Sequence, residues 1–407
     1  MNEILNKYIL LCEKMRKNDA EMIPLCAAQT HISNFCKQAL LSNFEGKYSF
    51  VDETGKNSFV DGKYVEELNQ LLNEECKLLF NSSYVNADTL TGINCFTVCA
   101  MSLLKKGDKV LVTTPEQGGH ASIPFILDNL GIKYETMPYD FHKYQIDYDE
   151  INILIKRDNY KFLIFCQSDI INPPDLKLLE LPESTGIIYD GTQTLGLIAG
   201  KALDNPLELS NVVLIGGTHK TLPAPACGII MTNNIRYENM LKRQITPHFL
   251  RNTQPNHIAS VLLSLIEQEQ YGELYQSKTV QLANLLGKSL EEQGFHLAKI
   301  DIHTYTYTHQ IFILLSYDET ERFYYNAQKY NISLNEKHKK LFNNDGIRLG
   351  TQQIARYNWC EEEISKLAQL LHLTFLEPDQ HSEILKLRQW LISRKIPHFE
   401  YEEITIE

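Results

Sequence analysis

Lys220 stands in "GGTHKTLPAPACG", residues 216–228, directly after the apolar run "NVVLI". Lysine is rarely buried without a partner, so this one is either a solvated loop residue or an amine with chemistry to do. Thirty residues earlier Asp190 closes the apolar "GIIYD". Burial tends to neutralise such a carboxylate, which therefore calls for a cationic partner such as a pyridinium N–H. Gln193, three residues on, can donate to a phenolic oxygen. Thr91 and Gly92 precede the helical "INCFTVCAMSLL", where a hydroxyl and backbone N–H groups can hold a phosphate against the positive end of a helix. His120 follows the paired glycines of "EQGGHAS" and offers a flat ring for stacking. An imine-forming amine, a carboxylate for a ring nitrogen, phosphate donors and a stacking ring are together what a pyridine-based electron sink requires. Each residue alone also has an ordinary reading: a loop lysine, a turn aspartate before glycine, a loop histidine without a ligand. Their common position at strand ends is what joins them into a set.

The elements that must position this set are legible as patterns. "YVEELNQLLNEECKLLF" reads as an amphipathic helix, "KVLVTT" as a strand, and "SIPFILDNLG" as a helix closed by glycine. "KYETMPY", "YKFLIFCQS", "GIIYD", "NVVLIGG" and "GIIMTNN" are short apolar runs ending in polar or turn residues. Continuous apolar runs separated by crossovers predict buried, largely parallel strands in an α/β sandwich. Ligands in such sheets sit beyond the carboxyl ends of the strands, which is where Thr113 to His120, Ser168, Asp190 to Gln193 and Thr218 to Lys220 fall. The run "NHIASVLLSLIEQEQYGELYQSKTVQLANLLGKSLEEQG" predicts one or two long helices. "HQIFILLS", "GIRLGTQQ" and "EEEISKLAQLLHLTFLE" predict a smaller α+β domain, and the tail "HSEILKLRQWLISRKIPHFEYEEI" a helix with a short final strand. The expected division is an N-terminal arm or helix over 1–35, a large cofactor-binding α/β domain over 36–270 and a small α+β domain over 271–407.

Composition narrows the function classes. The 407 residues are 43% hydrophobic and 22% charged with a net charge of −12. That balance is globular and argues against a nucleic-acid binder, which must neutralise phosphates with clustered Lys and Arg. The start lacks a secretory pattern and no run approaches a membrane span. Nine scattered cysteines, mostly within apolar segments, fit reduced core thiols in a cytoplasmic protein. Cys95 and Cys99 share a helix face without further ligands nearby, so they read as helix packing and no metal is invoked.

The order and spacing of these motifs resemble fold-type I pyridoxal 5′-phosphate enzymes, and among them the serine hydroxymethyltransferase family. "THKTL" is similar to that family's imine-lysine motif, and "YDGTQTLGLIAGK" to its Asp-x-x-His-x-x-Gly-Leu segment. "LLKKGDKVLVTTPEQGGHAS" looks like the segment carrying the stacking histidine, and "GIRLGTQQIAR" like the Arg-x-Gly-Thr segment that takes the substrate carboxylate. The resemblance runs with gaps from about Ile23 to Leu371. It implies a mostly parallel seven-stranded sheet between helices, a smaller C-terminal α+β domain, and a homodimer with shared active sites. It implies Lys220 as the Schiff-base lysine, Asp190 on the pyridine nitrogen and His120 over the ring. Thr91, Gly92, Ile93, Ser168, Gln193, Thr218 and His219 complete the cofactor set. Arg348 is implied as the fork for the substrate α-carboxylate, a role that suits its planar donors. Tyr48 and Phe50 would line the substrate side, with Tyr48 among the catalytic residues and contributed, like the 246–257 loop, by the partner subunit.

Departures from the family shape the expected reaction. Phe50 falls where the family has its catalytic glutamate, and a phenyl ring cannot shuttle a proton. Phe59 or Ser58 falls where it has paired tyrosines. Gln193 replaces a histidine, which makes "DGTQ" similar to class V aminotransferases and cysteine desulfurases. "PAPACG" and "TPHFLRNTQPNH" replace the arginine-glycine run after the lysine motif and the glycine-rich loop. The leading expectation is Cα–Cβ chemistry on an amino acid through an external aldimine: a folate-independent aldolase, transaldolase or hydroxymethyltransferase-like enzyme in amino-acid metabolism or biosynthesis. The alternatives are Cα–H cleavage, as in an aminotransferase or β-eliminating lyase, and a cofactor-free scaffold keeping the fold.

Overall fold

Seven short strands pair into one sheet in the computed structural model, which describes residues 2–52, 54–376, 380–402 and 404. In chain order they are β1 (Tyr84–Asn86), β2 (Lys109–Val112), β3 (Lys133–Thr136), β4 (Phe162–Phe165), β5 (Gly186–Asp190), β6 (Val212–Gly217) and β7 (Gly228–Thr232). Their spatial order is β1-β7-β6-β5-β4-β2-β3. Strands β3, β2, β4, β5 and β6 are mutually parallel, while β7 runs antiparallel to both β6 and β1. Alternate side chains leave opposite faces of a strand, and both faces here are covered. Leu111, Leu163, Ile187 and Leu214 point into one core, and Val112, Ile164, Ile188 and Ile215 into another. Two buried faces explain why these strands read as unbroken apolar runs rather than alternating ones. Because β2 lies between β3 and β4, the sheet grows in both directions from it, which opens a crevice at the strand ends.

The chain divides into two compact units, 28–280 with 399–407, and 1–27 with 281–398. This differs from the division expected at 35 and 270. The boundary near 280 falls inside a single helix, Pro255–Glu292, so the run predicted as one or two helices is one. The N-terminal segment joins the C-terminal unit because Ile23–Pro24 pairs in parallel with Ile332–Ser333, and Lys395 Nζ donates to the carbonyls of Asp19, Ala20 and Met22. A cation on the last carbonyls of helix Glu3–Glu21 also complements its dipole. That unit is built on a fully antiparallel sheet of β8 (His296–Leu297), β9 (Gln310–Leu315), β10 (Asn335–Lys339) and β11 (Asn344–Gly350), in the order β8-β9-β11-β10.

The tail departs from expectation. Helix His381–Ile392 forms, but among the described residues no strand follows it. Instead the last residues pack on the large unit: Tyr401 sets its ring edge-on to Phe35 at 5.1 Å and to Tyr271 at 5.6 Å, and its N–H donates to Glu267. Aromatic burial satisfies this segment without a sheet partner. All nine cysteines are free, and seven of them, including Cys95 and Cys99, are buried. Among the described residues no helix is long and apolar enough to cross a membrane.

Candidate active site

Lys220 lies three residues beyond β6, in a loop that the sequence closes upon itself. The Thr218 hydroxyl donates to the Pro225 carbonyl at 2.7 Å, Thr218 N–H to Cys227 O at 3.0 Å, and Ala224 N–H back to Thr218 O at 3.0 Å. These bonds reverse the chain into the antiparallel β7, so "PAPACG" is the segment that makes the turn. Thr218 is fully buried. His219 is mostly buried, and its Nδ1 has no hydrogen-bond partner. Burial first, then the neighbouring Lys220 charge, push His219 down to about 4, so its imidazole is neutral.

Asp190 ends β5, one strand over, paired with Ile215 of β6. Its Oδ1 accepts from Thr192 N–H at 2.9 Å and from the Thr192 hydroxyl at 2.5 Å. Burial pushes the carboxyl up, and the Thr192 bonds followed by the charges of Lys220 and His120 pull it back toward the ionised form. The lysine and the histidine singled out from sequence are therefore both within electrostatic reach of the aspartate. Gln193 follows, almost fully buried, its carbonyl accepting from the Thr221 hydroxyl at 2.9 Å.

His120 is placed by a loop zipped to the end of β4. Gly118 takes a positive φ of 82°, which favours glycine. Next to it, a β-carbon on Gly119 would meet Thr113 O at 2.1 Å. With the backbone that close, His120 N–H donates to Cys166 O at 2.8 Å and Ser168 N–H to Gly118 O at 2.7 Å. His120 Nδ1 accepts from Ser122 N–H at 3.2 Å, which fixes the orientation of the ring.

Helix Gly92–Leu103 starts at the same end of the sheet. Thr91 is its N-cap, its hydroxyl accepting from Asn94 N–H at 3.4 Å, and Gly92 and Ile93 form the first turn. The first turn of a helix presents backbone N–H groups that can hold an anion. Thr91, Gly92, Ile93, Ser168, Asp190, Gln193, Thr218, His219, Lys220 and His120 all belong to the large unit. Tyr48 and Phe50 do too, but they engage other groups: Tyr48 stacks on Phe59 at 5.4 Å, and the Arg251 guanidinium lies 5.4 Å from the Phe50 ring centre. Arg348 sits in the C-terminal unit on β11, 4% exposed, with Nη2 donating to Asn335 Oδ1 at 3.0 Å. Sequence reasoning missed Thr192. Its only signal was a hydroxyl residue two places after an aspartate, a common Asx-turn pattern.

A family model described as serine hydroxymethyltransferase matches residues 3–371. The chain belongs to that family. Curated relatives named serine hydroxymethyltransferase include that of Pyrococcus horikoshii, 27% identical over 402 residues, covering 94% of this chain and 93% of the relative. That of Picrophilus torridus is 29% identical over 388 residues, covering 92% and 89%. Among solved structures, L-threonine transaldolase from Pseudomonas fluorescens in its internal aldimine state matches with a TM-score of 0.89 at 18% identity, over 97% of this chain and 92% of that one. The fold is thus fold type I, as the sequence implied, and the chain is an enzyme of the serine hydroxymethyltransferase-like group.

Proposed function

We propose that this member of the serine hydroxymethyltransferase family is a pyridoxal 5′-phosphate enzyme that breaks or makes a Cα–Cβ bond of an α-amino acid without folate. The observation that carries the reading is the grouping of Lys220, Asp190 and His120 at adjacent carboxyl ends of parallel strands. The residues present fit the cofactor. His219 Nδ1 is a buried polar atom in want of a partner, and the space where a Gly92 side chain would stand is closed by Thr192 and Gly217, so backbone lines the helix start. Lys220 would hold the cofactor's aldehyde carbon, Asp190 its ring nitrogen, Gln193 and Ser168 its phenolic oxygen or phosphate, His120 its face, and Thr91, Gly92, Ile93, Thr218 and His219 its remaining edges.

When bound, the cofactor supplies an electron sink for charge developing at the substrate Cα. Asp190 contributes its carboxylate: burial raises its proton affinity, the Thr192 hydrogen bonds favour the charged form, and that charge would favour a protonated ring nitrogen. The Lys220 amine, once released by substrate, is the group at hand to carry a proton at Cα. Arg348 is proposed as the bidentate fork for the substrate carboxylate. Phe50 has no proton to give where the family has a glutamate, which supports a folate-independent reaction. The same residue together with Gln193 favours a second reading, Cα–H cleavage as in an aminotransferase or β-eliminating lyase. A homodimer, with Tyr48 and the 246–257 loop serving the partner's site, is part of the proposal and is checked by sizing.

The test has two stages. Protein loaded with pyridoxal 5′-phosphate should carry a visible absorption band that Lys220→Ala loses; an unchanged spectrum overturns the cofactor assignment. Incubation with threonine, serine and glycine then separates the classes, since aldehyde release supports Cα–Cβ cleavage and keto-acid formation supports the second reading.

A further inference from the structure

The Thr192 side chain joins three parts of the large unit. Its hydroxyl donates to Asp190 Oδ1 at 2.5 Å and accepts from the Gly217 backbone N–H at 2.8 Å, and it fills the position where a β-carbon on Gly92 would stand, 2.4 Å away. Its own N–H gives Asp190 Oδ1 a second bond at 2.9 Å. Oδ1 is thus committed twice, whereas Oδ2 receives no hydrogen bond among the described residues. A carboxylate with one oxygen tied down cannot rotate to bring the other away from its target, and two donors on Oδ1 favour the charged form.

We infer that Thr192 is a positioning residue: its hydroxyl, braced by the end of β6, fixes the Asp190 carboxylate through Oδ1, reserving Oδ2 for the cofactor's ring nitrogen. This inference rests on the cofactor reading above. A purely structural role for Thr192 is the competing account, since its oxygen also satisfies the Gly217 N–H. The two accounts differ in one respect. A positioning role matters only for a ligand that presents a ring nitrogen, whereas loss of structure harms any ligand of the same shape.

The experiment measures binding of two ligands to cofactor-free protein: pyridoxal 5′-phosphate, and its analogue with CH in place of the ring nitrogen. The variants are Thr192→Val, Thr192→Ala, which leaves room for a water to reach Gly217, and Thr192→Ser, which restores the hydroxyl. Loss of a hydrogen bond to a charged group predicts that Val and Ala weaken pyridoxal 5′-phosphate about tenfold or more, that Ser returns it to near the wild-type value, and that the analogue binds all four proteins alike. Equal weakening of both ligands, or wild-type affinity for pyridoxal 5′-phosphate in Val and Ala, overturns the inference while leaving the cofactor reading intact. Failure of the wild-type protein to bind pyridoxal 5′-phosphate overturns both.

Discussion

Gly92 and Thr192 are so close that a β-carbon on the glycine would stand 2.4 Å from the threonine Oγ1 and 3.0 Å from the Gly217 nitrogen. Gly92→Ala must therefore displace either the hydroxyl or the end of β6. Overpacking of this kind typically costs on the order of 1–3 kcal/mol. Thermal melting should show that loss, and titration with pyridoxal 5′-phosphate should show weaker binding in the variant. Unchanged melting and binding would mean that the helix start moves freely, contrary to the packing seen.

Gly119→Ala is the harsher change, because its β-carbon would meet backbone: Thr113 O at 2.1 Å and Thr114 O at 2.6 Å. Backbone cannot rotate aside, so a loss of about 3 kcal/mol is expected. Gly55→Ala makes a control: with φ at +81° and nothing within 4 Å, it bears only the strain of a left-handed β-carbon, on the order of 1 kcal/mol. Melting should therefore fall in the order wild type, Gly55→Ala, Gly119→Ala.

His219 makes stability depend on pH. Its folded value near 4 lies below the ordinary histidine value of about 6.5, so between those limits the unfolded chain binds a proton that the folded chain refuses. Stability from this group is complete above about pH 6.5 and declines as pH falls toward 4, by an amount on the order of 2 kcal/mol. Urea unfolding at pH 7 and pH 5 should reveal the decline, and His219→Asn, which has no proton to bind, should flatten it.

Arg348→Lys retains the charge but loses the planar fork. If Arg348 takes the substrate carboxylate, KM for the amino acid should rise by about tenfold or more while the affinity for pyridoxal 5′-phosphate stays unchanged. Parallel loss of both would assign Arg348 to the stability of its own unit, where it bonds Asn335.

Much of this protein is determined by short-range sequence pattern. Apolar runs such as "KFLIFC" and "VVLIGG" can hardly be anything but doubly covered strands, and a lysine, an aspartate and a histidine at their polar ends mark the crevice. Gly131, with φ at +67°, closes helix Ser122–Leu130 as its sequence position predicts. Other features depend on partners distant in the chain. The three residues of β1 are too short to announce themselves and become a strand only against β7. The reversal of β7 depends on the Thr218–Pro225 bond across a loop, and the N-terminal segment joins the C-terminal unit through Ile332–Ser333 and Lys395. The missing final strand gave way to ring contacts with Phe35 and Tyr271, more than a hundred residues away. Thr192 shows the division most sharply. Sequence places it two residues after Asp190, but only the folded sheet brings Gly92 and Gly217 against its hydroxyl, because a side chain's hydrogen-bond partners are set by which strands become neighbours.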